Sequence, residues 1–230
     1  MNNKTLTNIL KGLAGIIIYF SVSIFKSVPL YALGINPAKL PLTVQNIYSI
    51  FMELLIIISI YMMFRKDIHR CIKDIKKNNL KYFTKYLKVY ILALIVMMVS
   101  NVIINTLGEG ASENEAIIRE TFKQIPIFTF ISAVFLAPVL EELVFRKCFR
   151  AIFQNNFLFI TISSLVFGGL HLIGMPFDEL FPLYLISYCS CGVAFAYMYV
   201  KTNNIFVSMG FHFMHNGILM AMQTFLLMFT

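Results

Sequence analysis

A pair of adjacent acids lies inside an otherwise apolar stretch of the sequence, where proton-exchanging side chains are rare. Glu141 and Glu142 are followed by Arg146. On a helix, Glu142 and Arg146 are four residues apart and share one face, whereas Glu141 points about 100° away. We therefore expect Arg146 to hold Glu142 as an ion and Glu141 to be free to exchange a proton, as a general base must. A purely structural ion-pair cluster is the alternative interpretation.

A histidine in the next apolar stretch is placed to meet this pair. His171 and Glu141 are equally distant along the chain from the polar break at 154–156. A helical hairpin turning at this break puts both side chains at one depth, roughly 22 Å from the turn. Gly168 and Gly169 would then let the two helices of the hairpin approach closely. The alternative is a hydrogen-bonded histidine that only packs.

A third polar group lies in the last apolar stretch. His212 and Asn216 are four residues apart, so a helix presents an imidazole and a carboxamide on one face. These groups suit the stabilisation of a developing oxyanion, and His212 also suits metal binding. For His215, three residues after His212, we expect a packing role. For Glu53, a lone acid in an earlier apolar stretch, we favour a structural role over a functional one.

The composition indicates which elements must position these residues. Of 230 residues, 59% are hydrophobic and only 13% are charged, too few to cover the surface of a soluble domain. Seven apolar blocks are long enough to cross a bilayer, namely 9–33, 42–64, 89–107, 125–150, 156–175, 180–200 and 205–229. The first block is longer than a signal-peptide core and is interrupted by Lys26, so we expect a retained helix.

These blocks predict an all-α, polytopic membrane helical bundle of about seven transmembrane helices. It forms a single membrane domain, in which residues 1–124 hold three N-terminal helices and residues 125–230 hold the core with the polar groups. A transporter or channel would spread its polar residues along several spans. Their concentration in three spans argues against that class.

Basic residues predict the orientation. The net charge is +8, and nine of the nineteen basic residues lie in the segment 65–88. This pattern is typical of a cytoplasmic loop facing anionic lipid and argues against nucleic-acid binding. With the N-terminus inside, fifteen basic residues are cytoplasmic, and only Lys39, Arg119 and Lys123 are outside. We therefore predict an N-in, C-out protein of the cell membrane, and the Ile, Lys, Asn and Phe-rich composition indicates a bacterial plasma membrane.

The three polar groups together resemble a known family. Glu-Glu-x-x-x-Arg at 141–146, Phe-x-x-x-His at 167–171 and His-x-x-x-Asn at 212–216 occur in this order on successive apolar segments. They resemble the CAAX prenyl endopeptidase family, whose bacterial branch is called CPBP or Abi, and the resemblance covers roughly residues 125–220. It implies intramembrane hydrolysis of a peptide bond, with the substrate a membrane-embedded or membrane-associated peptide or protein.

The resemblance also implies a role for each residue. Glu141 with His171 would activate a water molecule, and His212 with Asn216 would stabilise the oxyanion. The zinc-protease motif His-Glu-x-x-His is absent, although Glu141, His171 and His212 could supply three zinc ligands. We favour a mechanism that requires no cofactor, with zinc as the alternative. A non-catalytic membrane protein of the same fold, acting in bacteriocin immunity or regulation, is the alternative function.

Overall fold

The computed structural model describes residues 3–108, 110 and 112–228, and this part of the chain is helical without β-strands. Residues 1, 2, 109, 111, 229 and 230, which include the last residue of the block 205–229, lie outside the described part. The helices in chain order are α1 (Asn3–Phe25), α2 (Val28–Ala32), α3 (Leu42–Thr106), α4 (Glu113–Gln124), α5 (Pro126–Ile152), α6 (Asn156–Leu170), α7 (Phe181–Thr202) and α8 (Ile205–Met228).

The helices confirm the predicted all-α membrane fold. Within the described residues, five helices are long and apolar enough to cross a membrane, namely α1, α3, α5, α7 and α8. Helix α6 is apolar but has only 15 residues. The count of seven transmembrane segments and the N-in orientation remain predictions.

Helix α3 differs most from expectation. Its 65 residues contain two predicted spans and also the basic segment 65–88, for which we expected a loop. This segment has no glycine or proline and is rich in lysine, a good helix former, so the helix continues through it. A second unexpected helix, α4, begins where the Ser112 side chain accepts a hydrogen bond from the backbone N–H of Glu115.

Helix α3 folds back on itself. In a straight helix, Glu53 and Tyr90 would lie about 55 Å apart. Yet Glu53 lines the same cavity as Glu141, and the Tyr90 hydroxyl lies 3.3 Å from Nδ1 of His215. Glu141 and His215 belong to one neighbourhood, because His212 on the same helix as His215 contacts Glu141. The two predicted spans in α3 therefore pack on two sides of one bundle.

Side-chain hydrogen bonds to the backbone lie midway along α3. Asn78 donates through Nδ2 to the carbonyl oxygen of Asp74 at 3.3 Å, and the Asn79 side chain accepts from the N–H of Leu80 at 2.7 Å. Such bonds compete with the helical ladder and occur where helices bend. Asn204, at the start of α8, holds Asp74 in place through a 2.7 Å hydrogen bond.

Glycines allow the helices around α5 to approach closely. A Cβ atom at Gly12 would lie 2.6 Å from the backbone oxygen of Cys148, so α1 packs directly on α5. Gly168 makes a comparable approach to Cys189 on α7. We expected Gly168 and Gly169 to bring α6 close to α5. Instead Gly168 packs against α7, and a Cβ at Gly169 would meet nothing within 4 Å.

Candidate active site

Helix α5 is irregular around Glu141. Two π-helical stretches, Ser132–Leu136 and Glu142–Cys148, lie on either side of the short α-helical turn Ala137–Glu141. A π-helical turn widens the helix by one residue and changes the direction of the side chains that follow it. The two glutamates lie at the junction between the turn and the second π-helical stretch.

Pro138 leaves one carbonyl group of this helix without a backbone partner. The N–H of Ala137 donates to Ser132, five residues back, so it is not available to Ala133. The next residue that could bond Ala133 in this register is Pro138, which has no N–H. Asn216 on α8 fills the gap, because its Nδ2 donates to the carbonyl oxygen of Ala133 at 2.8 Å. Asn216 therefore ties α8 to α5 next to the glutamates.

His212 lies between the two glutamates. Its Nδ1 is 3.2 Å from Oε1 of Glu142, and its Nε2 is 3.5 Å from Oε2 of Glu141. The side chain of Glu142 is fully buried and that of His212 is 3% exposed, whereas that of Glu141 is 19% exposed. The two neighbouring acids thus have different surroundings, and Glu141 is the one that a ligand can reach.

Arg146 provides the counter-ion that we expected for Glu142. Its Nη2 lies 3.4 Å from Oε1 of Glu142, and both side chains are fully buried. The guanidinium carbon lies 5.1 Å from the ring centre of Phe167 and 5.9 Å from that of Phe195, so aromatic faces enclose the cation. The guanidinium nitrogens make no hydrogen bond with the described residues. The ion pair therefore rests on charge and on the aromatic enclosure.

The same two aromatic rings hold His212. Phe195 stacks on the imidazole at 4.8 Å between ring centres, and Phe167 meets it edge-on at 5.8 Å. From the sequence, Phe167 was expected only as part of a motif, and Phe195 was not expected at the site. Phe195 lies within an apolar span, where nothing in the sequence distinguishes it from other phenylalanines.

His171 is placed differently from expectation. The hairpin turn between α5 and α6 is where we predicted it, with the Asn155 side chain accepting from the N–H of Leu158. However, Nδ1 of His171 donates to the carbonyl oxygen of Phe167 at 2.8 Å, and the ring stacks on Tyr188 at 4.8 Å. His171 makes no hydrogen bond with Glu141 in this arrangement, and the imidazole that contacts Glu141 is His212.

The three candidate zinc ligands do not form a metal site as they are placed. Among the described residues, no group of three histidine, cysteine or acidic side chains is close enough to hold a metal ion. Glu141 and His212 are adjacent, but the ring of His171 is held by Phe167 and Tyr188.

His215 has the packing environment that we expected. Besides the Tyr90 hydroxyl, its ring has the Cys191 thiol within 3.8 Å and Phe195 in an edge-on contact. It faces α3 and α7, and no hydrogen bond or ion pair joins it to the glutamates. We therefore do not assign it to the chemistry.

A cavity of about 200 Å³ opens beside Glu141. Residues on or next to α1, α3 and α5 line it. Of the motif residues described above, Glu141 is the one that lines the cavity. Glu53 lines the opposite side, where its electrostatic neighbour is Lys26. The structural role that we favoured for Glu53 stays a prediction.

Comparison with known proteins agrees with the polar motifs. A family model described as type II CAAX prenyl endopeptidase Rce1-like matches residues 123–218, close to the range of the resemblance. "Putative membrane peptidase YdiL" of Bacillus subtilis (strain 168) is 34% identical over 115 residues, 49% of this chain and 43% of that relative. The "UPF0177 protein YvdC" of Lactococcus lactis subsp. lactis (strain IL1403) is 30% identical over 190 residues, 78% of this chain and 67% of the relative. No solved structure matches the chain.

The family match and the fold lead to the same assignment. The matched residues include both glutamates, Arg146, His171, His212 and Asn216. The match to YdiL spans less than half of that relative, whereas the match to YvdC extends into the N-terminal helices of this chain. The chain is a multi-pass membrane protein that belongs to the type II CAAX prenyl endopeptidase Rce1-like family of membrane proteases.

Proposed function

We propose that this protein is an intramembrane endopeptidase that hydrolyses a peptide bond in a membrane-embedded or membrane-associated peptide or protein. The observation that carries the proposal is the difference between the two glutamates. Glu142 is fully buried and paired with Arg146, whereas Glu141 reaches a cavity and contacts an imidazole. A carboxylate that a substrate and a water molecule can reach is what a general base needs.

Glu141 acts on the hydrolytic water. It takes one proton from the water, whose oxygen forms a bond to the carbonyl carbon of the scissile peptide. The same carboxyl group then passes the proton to the peptide nitrogen as the carbon–nitrogen bond breaks. The products are a new carboxyl end and a new amine end, and Glu141 returns to its starting form.

His212 and Asn216 stabilise the oxyanion that forms between these steps. The contact of His212 Nδ1 with Glu142 keeps its Nε2 directed towards Glu141, where an Nε2–H group donates to the oxyanion. Asn216 uses one N–H on Ala133 and has a second to donate. In a cavity with little water, such fixed donors stabilise a developing negative charge more strongly than they would in bulk water.

His171 enters the scheme through the family resemblance. Because its Nδ1–H is used on the carbonyl of Phe167, its Nε2 is left as a hydrogen-bond acceptor. An acceptor of this kind orients a water molecule by taking one of its hydrogens. Tyr188, stacked on the ring, keeps the imidazole in one orientation.

A comparison of membrane peptides in cells tests this function. Cells that produce the wild type should contain a cleavage product that is missing when Glu141→Ala is produced at the same level. Leu92→Ala is the matched control, since Leu92 lies on the exposed face of α3, away from the cavity. A product that persists with Glu141→Ala would refute the assignment of the base. Identical peptide profiles for all strains would favour the non-catalytic immunity or regulatory role.

A further inference from the structure

The cavity beside Glu141 has a polar wall that lies outside the segment matched by the family model. The wall consists of Tyr19 and Ser23 on α1, Lys26 just after α1, and Ser49 and Glu53 on α3. We call these five residues the polar wall. None of their side chains makes a hydrogen bond with the described part of the chain, and Lys26 and Glu53 attract each other without a close ion pair.

The serine hydroxyls of α3 differ in their hydrogen bonding. Ser59 and Ser100, also on α3, donate to the carbonyl oxygens four residues earlier, at 2.7 and 3.0 Å. Ser49 on the same helix makes no such bond and faces the cavity. Ser49 and Glu53 lie within an apolar helix, where a polar group is costly unless it is satisfied, so a cavity that both of them line indicates that a ligand bonds them there.

An unwound peptide has free backbone donors and acceptors that polar side chains can bond. A substrate segment inside a membrane is helical, because every backbone N–H and carbonyl group must be bonded there. A peptide bond that is to be cut must leave the helix, and this frees several backbone donors and acceptors. The cavity volume of about 200 Å³ corresponds to about seven water molecules, so it can hold more than a single bridging water.

We propose that the polar wall binds the unwound main chain of the substrate beside the scissile bond. This inference rests on the proposed function and adds to it the way in which the substrate is held. Glu53 and the serine hydroxyls accept the freed N–H groups, and Lys26 and the Tyr19 hydroxyl donate to the freed carbonyl groups. Because Glu141 lines the same cavity, a main chain held on this wall has its neighbouring peptide bond at the base.

Steady-state kinetics of the purified full chain, with a cleaved membrane peptide as substrate, test the inference. Glu53→Leu and Ser49→Ala should each raise KM about tenfold, which corresponds to the loss of one hydrogen bond in a poorly hydrated place, and should change kcat less than about twofold. Glu53→Gln keeps an acceptor and should leave KM near the wild-type value. Ser59→Ala is the matched control, because Ser59 bonds its own helix.

A modified substrate tests whether the ligand is the main chain. Replacing the amide next to the scissile bond with an ester removes one N–H group. The ester should raise KM for the wild type, and Glu53→Leu should then add little further loss, because both changes remove the same hydrogen bond. If Glu53→Leu raises KM by the same factor for the ester as for the amide, Glu53 does not bond this N–H and the inference is wrong.

Other kinetic results for the wall variants would overturn the inference. If Glu53→Gln raises KM as much as Glu53→Leu, the charge of Glu53 binds a basic side chain and the main-chain inference is wrong. If kcat falls while KM is unchanged, Glu53 acts in the chemistry and the inference is equally wrong. Normal kinetics for every wall variant, with Glu141→Gln inactive, would overturn this inference alone, whereas an active Glu141→Gln would overturn the proposed function.

Discussion

At the scale of single residues, the molecule gives two neighbouring acids different environments. Glu142 is enclosed with Arg146 and His212, and Phe167 and Phe195 surround this group. Removing one partner of a buried ion pair is more harmful than removing both, because a single buried charge is left without compensation. The stability of Glu142 variants therefore depends on what stands at position 146.

The first prediction concerns this ion pair. Glu142→Gln should lower the free energy of unfolding by about 3–5 kcal/mol, because it leaves Arg146 as an unpaired buried cation. The double change Glu142→Gln with Arg146→Met should recover much of the loss, since a methionine fits between the two aromatic rings. Membrane abundance and melting in detergent measure both effects. A double variant no more stable than Glu142→Gln would contradict the account.

The second prediction concerns metal dependence. We expect cleavage by the purified protein to survive treatment with a strong chelator, because the scheme gives proton transfer to Glu141 and oxyanion binding to protein groups. The measurement compares activity and metal content before and after chelation. About one equivalent of bound zinc, with activity that is lost on chelation and restored by zinc, would contradict this expectation.

At the scale of the elements, the irregularity of α5 links the site to α8. Pro138 removes the N–H that the widened turn would use on Ala133, and Asn216 replaces it. Asn216 therefore has a structural task in addition to its proposed role with the oxyanion. The two roles are separable, because the structural one depends on Pro138.

The third prediction uses this dependence. Asn216→Ala should lower the free energy of unfolding by about 1–3 kcal/mol, because the carbonyl group of Ala133 loses its donor. Pro138→Ala supplies an N–H at the position that the widened turn requires, so Asn216→Ala should cost less in that background. Melting in detergent of the two single variants and the double variant gives the coupling. Strictly additive losses would mean that Asn216 does not replace the missing N–H.

The local features of these elements could be predicted from the sequence. The four-residue spacing of Glu142 and Arg146 predicted their ion pair, and the polar break at 154–156 predicted the hairpin turn. Both depend on residues that are close along the chain. The contact of His212 with Glu142 joins residues 70 positions apart, so spacing along the chain could not predict it. The π-helical stretches turn side chains away from the directions that a regular helix gives them.

At the scale of the whole molecule, α3 packs against helices from both halves of the chain. Composition alone predicted a membrane bundle, and the described residues contain five helices suited to cross a membrane. It did not predict the helical course of 65–88, because basic residues mark a cytoplasmic segment without distinguishing a loop from a helix. Nor did it predict that the second span would bring Glu53 to the cavity of Glu141.

The fourth prediction concerns orientation. In a cysteine-free background, Lys77→Cys should react with a membrane-impermeant reagent only from the cytoplasmic side, and Ala116→Cys only from outside. Both positions are exposed and lie on opposite sides of the membrane in the N-in arrangement. The physical reason is the concentration of basic residues in the segment 65–88. Labelling with the two sides exchanged would refute the orientation.

The cleavage rate of Glu141→Gln is the most direct measure of whether Glu141 is the general base. This change keeps the size and hydrogen bonding of the side chain but removes its ability to accept a proton. The rate should fall by roughly 10² to 10⁴-fold, the usual range for a positioned acid–base group, while melting and abundance stay near the wild-type values. A Glu141→Gln protein that cleaves at the wild-type rate would show that Glu141 is not the general base.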